Sequence, residues 1–122
     1  MSQSTQDAAV HAIDNTNVRN TIVDLARRAS IEINVQDVTH LNASRDYLAA
    51  GTNVYVSFLP KQAWQDTLKA CQAVRANGFE PVPHIPARMI ADAATLDGFL
   101  KEAGAAGVRR ALLIAGDAPQ AL

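Results

Sequence analysis

The chain of 122 residues has little cysteine and no hydrophobic targeting segment. Its one cysteine, Cys71, cannot form an internal disulfide, so we expect a reducing compartment. The first residues contain neither a basic stretch nor an apolar one, which is unlike a signal peptide. No apolar run approaches the roughly 20 residues needed to cross a bilayer. We therefore predict a cytoplasmic protein without membrane contact.

The sequence also lacks an excess of either charge. Eleven basic and twelve acidic residues give a net charge of -1, which offers no basic surface for nucleic acid. Neither the P-loop pattern nor G-x-G-x-x-G occurs. Three separated histidines (His11, His40 and His84) have no metal-ligand spacing, so no metal site is predicted.

What the chain does have is enough apolar residues, 48%, to build the core of one domain. Residues 1–16 are polar and have no strong periodicity, and we interpret them as a flexible leader. From residue 17 the periodicity is helical, with Asn17 as the predicted cap. The apolar face of this first helix is formed by Val18, Ile22, Leu25 and Ala29.

Residues 17–122 contain strands and helices in alternation. The predicted strands are 31–35, 53–59, 80–85 and 111–114, the third one weakened by its prolines. After the first helix, the predicted helices are a short one from Asn42 or Ser44 to Gly51, one over 61–77, and one from a cap at Asp92 or Thr95 to Gly104 or Gly107.

This alternation predicts an α/β fold with parallel strands and right-handed crossovers. The spacing of the strands is close to the repeat of a (β/α)₈ TIM barrel, of which four strands would be the first half. A small flavodoxin-like open sheet is the alternative architecture. In both, functional side chains gather where the parallel strands end.

Four polar features occupy such positions, one for each strand. They are Glu32, Ser57, His84 and Asp117. Each alone has an ordinary explanation as a solvated, turn or structural residue, but their joint placement favours a functional site. Cys71 lies on the predicted apolar helix face with Trp64 and Leu68, so we assign it to packing.

Four segments in order resemble one known family. They are Ser30-Ile-Glu32, Ala50-Gly-Thr-Asn-Val-Tyr-Val-Ser-Phe-Leu-Pro60, Gly78-Phe-Glu-Pro-Val-Pro-His-Ile-Pro-Ala-Arg88 and Leu112-Leu-Ile-Ala-Gly-Asp117. Together they resemble methylenetetrahydrofolate reductases, in particular the short bacterial reductase-like branch. The resemblance covers about residues 18–120.

The resemblance implies a flavin-binding (β/α)₈ barrel that reduces methylenetetrahydrofolate to methyltetrahydrofolate. FAD would be the cofactor, NAD(P)H the expected electron donor and a folate the substrate. Glu32 matches the general acid that helps to open the folate ring. Asp117 matches an aspartate beside the flavin and pterin, so it is assigned to both catalysis and cofactor binding.

The remaining implied flavin contacts come from the ends of the second, third and fourth strands. His84 matches a histidine of the flavin pocket, and Ser57 stands where better-known members have threonine. Ala115 and Gly116 match the cofactor-binding loop before the aspartate, although Ala115 replaces an arginine. The family's other four strands, which normally complete the FAD site, are not in these 122 residues.

Two alternatives to an active reductase stay open. The chain could be a non-catalytic half-barrel that pairs with a second copy, or with a partner chain, through its exposed edges. It could also be a truncated gene product without activity of its own.

Overall fold

The computed structural model describes residues 2–117, and their side chains from Asn15 onward. The helices are α1 (Ser2–Arg28), α2 (Leu41–Ser44), α3 (Trp64–Ala76) and α4 (Ala93–Ala105). The strands are β1 (Ile31–Ile33), β2 (Asn53–Val56), β3 (Glu80–Pro86) and β4 (Leu112–Ile114). Short 3₁₀ turns lie at Asp37–His40 and Ala87–Met89. None of the described helices is long and apolar enough to span a membrane.

The four strands form one parallel sheet in the sequential order β1-β2-β3-β4. The predicted α/β fold with parallel pairing is therefore confirmed. The order does not reverse within the sheet, whereas a flavodoxin-like sheet changes direction at a switch point. The arrangement is consistent with half of an α/β barrel.

The two faces of the sheet have different neighbours. Val54 and Val56 are fully buried on one face, where α3 packs across β2 and β3. Alternation along each strand directs the intervening side chains to the opposite face, which we call the inner face. The inner face carries Glu32, Tyr55 and His84, and no described helix covers it.

Helix α3 is the clearest match between sequence and structure. Of its predicted apolar stripe, Leu68, Cys71 and Val74 are buried and Trp64 is half-buried. Desolvation raises the pKa of the Cys71 thiol to about 12, so the group stays protonated and uncharged at neutral pH. The assignment of Cys71 to packing is confirmed.

Pro81 and Pro83 are compatible with a central strand because their nitrogens, which carry no hydrogen, face a side of β3 that has no paired strand at those positions. The amide of Glu80 donates to the carbonyl of Thr52, so even-numbered positions face β2. Pro81 and Pro83 therefore face the β4 side, where pairing starts only at His84. The two prolines therefore remove no hydrogen bond between strands, and the predicted third strand is confirmed despite them.

Several predicted boundaries are wrong. Helix α1 begins at Ser2, so residues 2–16 of the predicted leader are helical, and Asn17 lies inside the helix instead of capping it. Strand β1 ends at Ile33 because the Asn34 side chain accepts hydrogen bonds from the amides of Gln36 and Asp37, which turns the chain. Met1 lies outside the described residues.

The second and fourth helices also differ from the sequence pattern. Helix α2 starts and ends earlier than predicted, and Gly51 (φ +79°) lies instead in the turn before β2. Asp92 does cap α4, because its side chain accepts a hydrogen bond from the amide of Thr95. Leu100 of α4 is half exposed, so it does not belong to the packed face.

Arg75 ties together the edge of the sheet at which its strands begin. Both of its terminal nitrogens donate to the Glu80 carboxylate, at 2.7 and 2.9 Å, and it also donates to the carbonyl of Gly107. The end of α3, the start of β3 and the turn before β4 are thus held by one guanidinium. These two parallel hydrogen bonds are strong only while the guanidinium and the carboxylate are both ionised.

We predict that the Arg75–Glu80 pair makes stability depend on acid pH. The hydrogen bonds and charge of Arg75 hold the pKa of Glu80 below its ordinary value of 4.5. The unfolded chain therefore binds more protons than the folded chain as the pH falls through this region. The stabilisation is fully present above the unfolded pKa and is lost as the pH falls through the folded one.

Urea unfolding of Glu80→Gln at neutral pH should give a free energy of unfolding lower by about 1 kcal/mol. The difference from the parent should shrink in acid. Glu102→Gln is the matched control, since Glu102 is exposed and bonds the Gln65 amide, not a cation. Equal pH profiles for the parent and Glu80→Gln would contradict the assignment.

Candidate functional site

Two of the residues predicted from sequence meet on the inner face. Glu32 of β1 and His84 of β3 line the same open cleft of about 450 Å³, together with Tyr55 of β2. Its remaining lining consists of Ser30, Ile31 and Leu112. We call it the inner cleft. A carboxyl, a phenol and an imidazole thus come from three neighbouring strands onto a partly apolar floor.

Tyr55 is the member of the inner cleft that the sequence reading missed. It is the register partner of Glu32, and its ring lies edge-on to that of His84 with 6.0 Å between centroids and 63° between planes. The usable signal was the alternation of Asn53, Tyr55 and Ser57 along β2, which places all three opposite the buried valines. The β-propensity of this segment predicts a strand but does not show which of its side chains lie on the inner face.

Glu32 is exposed to solvent, and among the side chains from Asn15 to Asp117 its carboxylate has no hydrogen-bond or ion-pair partner. It is therefore free to meet a ligand. Ser57 is different, because its hydroxyl donates to the carbonyl of Ile33 at 3.0 Å. That bond joins β2 to β1, so the Ser57 oxygen can accept from a ligand while its proton is engaged in the sheet.

Asp117 lies in a second cleft, at the carboxyl ends of the strands. This rim cleft also measures about 450 Å³, and Asp117 is exposed at its edge. It is lined by Phe58, Pro60, Pro86, Met89, Ile114, Ala115, Gly116 and Asp117. Its walls are mostly apolar, with backbone groups and one carboxylate at the end of β4. The three residues predicted for the fourth strand end are all here.

The two clefts follow one another along the same face of the sheet. His84 and Leu112 line the inner cleft, while Pro86 and Ile114, two residues further along β3 and β4, line the rim cleft. Residues two apart in a strand share a face and lie about 7 Å apart. Of the predicted site residues, Glu32 and His84 therefore line one cleft and Ala115, Gly116 and Asp117 line the adjacent one, while Ser57 lines neither.

A close approach between the ends of β3 and β4 shapes the rim cleft. Gly116 has φ +86°, and a Cβ added to it would lie 2.9 Å from the Cβ of Pro86. Only glycine fits both this conformation and this distance. The glycine before Asp117 therefore has a structural reason that does not depend on a ligand.

Arg88 fastens the same loop from the β3 side. Its amide donates to the carbonyl of Ala115, and its Nη1 donates to the carbonyl of Gly116, both at 3.0 Å. The side chain at position 115 is only a methyl group, yet a guanidinium still reaches this loop from Arg88. Residues 78–88 and 112–117, two of the four segments that resemble the family, are thus joined directly by hydrogen bonds.

The wall of the rim cleft is anchored in the core by a row of aromatic rings. Phe58 packs on Trp64 at 4.6 Å between centroids, and Trp64 packs on Phe99 at 4.9 Å. Phe99 is buried beside Leu68 and Ile85. A ligand in this cleft would meet a wall whose position is set by α3 and α4.

Neither cleft suggests a metal centre. Among the side chains from Asn15 to Asp117, no group of three or more histidines, cysteines, aspartates or glutamates is arranged to hold an ion. The rim cleft has one carboxylate beside apolar walls, and the inner cleft has one carboxyl, one phenol and one imidazole on a partly apolar floor. That set of groups suits an organic ligand.

The chain was compared with models of known protein families, and none of them matches it.

We predict that Gly116 contributes more to stability than a glycine with the same backbone conformation in open space. Gly116→Ala would meet both a positive φ and the Pro86 side chain, whereas Gly78→Ala (φ +83°) has no heavy atom within 4 Å of the new Cβ. Each should lower the free energy of unfolding by about 1–3 kcal/mol through φ alone. Chemical denaturation should show a clearly larger loss for Gly116→Ala, and equal losses would refute the close approach.

Proposed function

We propose that this chain carries half of the active site of a flavin-dependent reductase that resembles methylenetetrahydrofolate reductase. The proposal depends most on one observation: Glu32 and His84 share the inner cleft, and two residues further along β3 and β4 lies the apolar rim cleft with Gly116 and Asp117. Fold and resemblance alone would not assign an activity, because function is determined by the site.

The sheet would form half of a (β/α)₈ barrel. Sequential parallel strands with helices on one face, and an inner face left without cover, support this assignment. Strands β1 and β4 would then pair with four further strands. The inner face would become the barrel interior, and Glu32 would lose much of its solvent contact.

The residues of the rim cleft fit the ring part of a flavin. An isoalloxazine is flat and mostly apolar, with hydrogen-bonding groups along one edge, and the cleft offers apolar walls with backbone groups at one end. Phe58 and Met89 would pack against the ring, and the Ala115–Asp117 loop would face its polar edge. The ribityl and adenosine parts would need contacts from residues outside this sheet.

When bound, the flavin would pass hydride from a reduced nucleotide to the substrate. Asp117 would place a carboxylate beside the ring and so disfavour additional negative charge there. Arg88 would keep the Asp117 loop fixed through its bonds to Ala115 and Gly116. A fixed carboxylate influences the ring more than a mobile one, because no reorganisation is needed as the charge changes.

Glu32 would act on the folate as the general acid. Its carboxyl would donate a proton to the five-membered ring, which opens and leaves a carbon that accepts hydride. A free carboxyl, without a competing cation, suits this role, and Glu32 has no such partner among the side chains from Asn15 to Asp117. Folate and NAD(P)H enter the proposal through the family resemblance.

A non-catalytic half-barrel is the second candidate, and the exposed edges favour it. Val18, Ile22 and Leu25 of α1 are more than half exposed, as is Leu113 on β4. Pairing with a second copy would bring Arg27 and Arg28 of one chain towards Arg109 and Arg110 of the other, since both pairs precede an edge strand. This repulsion favours a partner chain that differs from this one.

We predict that the chain binds the flavin ring with little help from the rest of FAD. Binding to the chain should change the absorbance spectra of both lumiflavin, which is only the ring, and FAD. The two dissociation constants should lie within about tenfold of each other. Asp117→Asn should weaken both equally. Asp97→Asn is the matched control, since Asp97 is exposed on α4 and pairs with Lys101. No spectral change with either flavin would remove the basis of the proposal.

We predict that Glu32→Gln separates flavin binding from chemistry. Glutamine keeps the size of the side chain but cannot donate the acid proton, so transfer from reduced flavin to methylenetetrahydrofolate should fall by about 100-fold or more. Stopped-flow reoxidation of the photoreduced flavin by methylenetetrahydrofolate measures this step. Reoxidation of the variant at the parent rate would exclude Glu32 as the acid.

A further inference from the structure

We propose that Tyr55 is a positioning residue that keeps the Glu32 carboxylate and the His84 imidazole apart and fixes the orientation of the imidazole ring. The proposal rests on the proposed function in so far as Glu32 and His84 are its functional groups. The placement of Tyr55 between them is a separate matter and can be tested without flavin or folate.

The strand order puts Tyr55 in the middle. Strand β2 lies between β1 and β3, and Tyr55 is the register partner of Glu32 on one side and of Val82 on the other. His84 follows Val82 by two residues, so it lies on the same face, diagonally from Tyr55. Tyr55 therefore stands on the strand between those that carry the carboxylate and the imidazole.

The two ionisable groups do not pair, although they line the same cleft. Glu32 and His84 form no ion pair with each other or with any other residue in the part of the chain from Asn15 to Asp117. By register the two residues stand two strands apart and two residues along this face, with β2 between them. Tyr55 is half-buried and lines the same cleft from the strand between them.

The ring contact also restricts the imidazole. Edge-to-face packing with 6.0 Å between centroids and 63° between planes is a preferred geometry for two aromatic rings. Rotation of the imidazole about its Cβ–Cγ bond would break this contact. The Tyr55 ring contacts one side of the imidazole, and His84 also lines the cleft. The two functional groups would thus keep separate roles, with Glu32 free to hold or donate its proton.

A purely structural role predicts something different. Tyr55 could only fill space on the inner face, in which case its removal would change stability but not the relation between Glu32 and His84. NMR signals of the His84 ring distinguish the two explanations, because they report on the Tyr55 ring and on the Glu32 charge. The chain suits this measurement because it has only three histidines, and His11→Gln with His40→Gln leaves His84 alone.

The first test uses the parent chain and requires no change at Tyr55. Nuclear Overhauser cross-peaks should join the Tyr55 ring protons to the carbon-bound protons of His84. Tyr55→Phe should keep these cross-peaks and the His84 chemical shifts, since the ring remains, and Tyr55→Leu should lose the ring-current shift. Tyr47→Leu is the matched control, because Tyr47 is 87% exposed and not in this cleft.

The second test asks whether Glu32 and His84 become coupled when the ring is removed. At neutral pH, Glu32→Gln should leave the His84 nitrogen shifts unchanged in the parent and in Tyr55→Phe, but should change them in the Tyr55→Leu background. A response to Glu32→Gln in the parent as large as that in Tyr55→Leu would overturn the spacer role. Absence of the cross-peaks in the parent would overturn the ring contact, even if Tyr55→Leu failed to fold.

Failure of the proposed function would look different from either result. A chain that binds no flavin could still show the tyrosine–histidine cross-peaks and the conditional coupling. A chain that binds flavin could lack them. Each proposal can therefore fail without the other.

Discussion

The structure depends on one constraint, which is the alternation of side chains in a parallel sheet that helices cover on one face only. Val54 and Val56 must point to α3, where they are fully buried among Cys71, Val74 and Phe79. Their neighbours Asn53, Tyr55 and Ser57 must then point the other way. A shift of one residue in β2 would bury Tyr55 and expose the valines, so the composition of the inner face follows from the core.

The clefts and the clamp at the two ends of the sheet follow from the same arrangement. At the end where the strands begin, Arg75 and Glu80 join α3 to β3 with charges that contact no cleft. At the other end, the loops are joined by Gly116 against Pro86 and by the two hydrogen bonds of Arg88. The Arg75–Glu80 pair and the two clefts thus lie towards opposite edges of the sheet.

The sequence was most informative where one local pattern decided the structure. The stripe of α3 and the cap of α4 are local. The stripe is confirmed, and of the two predicted caps, Asp92 and Thr95, the structure has Asp92. Pro81 and Pro83 could not be judged without knowing which side of β3 has no partner. The polar start of α1 has no periodic apolar face, so its helix was missed, and Tyr55 was overlooked because its role depends on two other strands. Glu32 and His84 were found from their strand positions, but their separation from Asp117 requires the register.

The central claim is that ligands meet this protein where the strands end, on the inner face. Two-dimensional amide spectra of the chain titrated with lumiflavin test it most directly. The account predicts the largest shifts at Phe58, Met89 and Ile114–Asp117, with unchanged amides at Arg75, Glu80 and Gly107. Shifts centred on the Arg75 clamp, or none at the strand ends with saturating ligand, would contradict it.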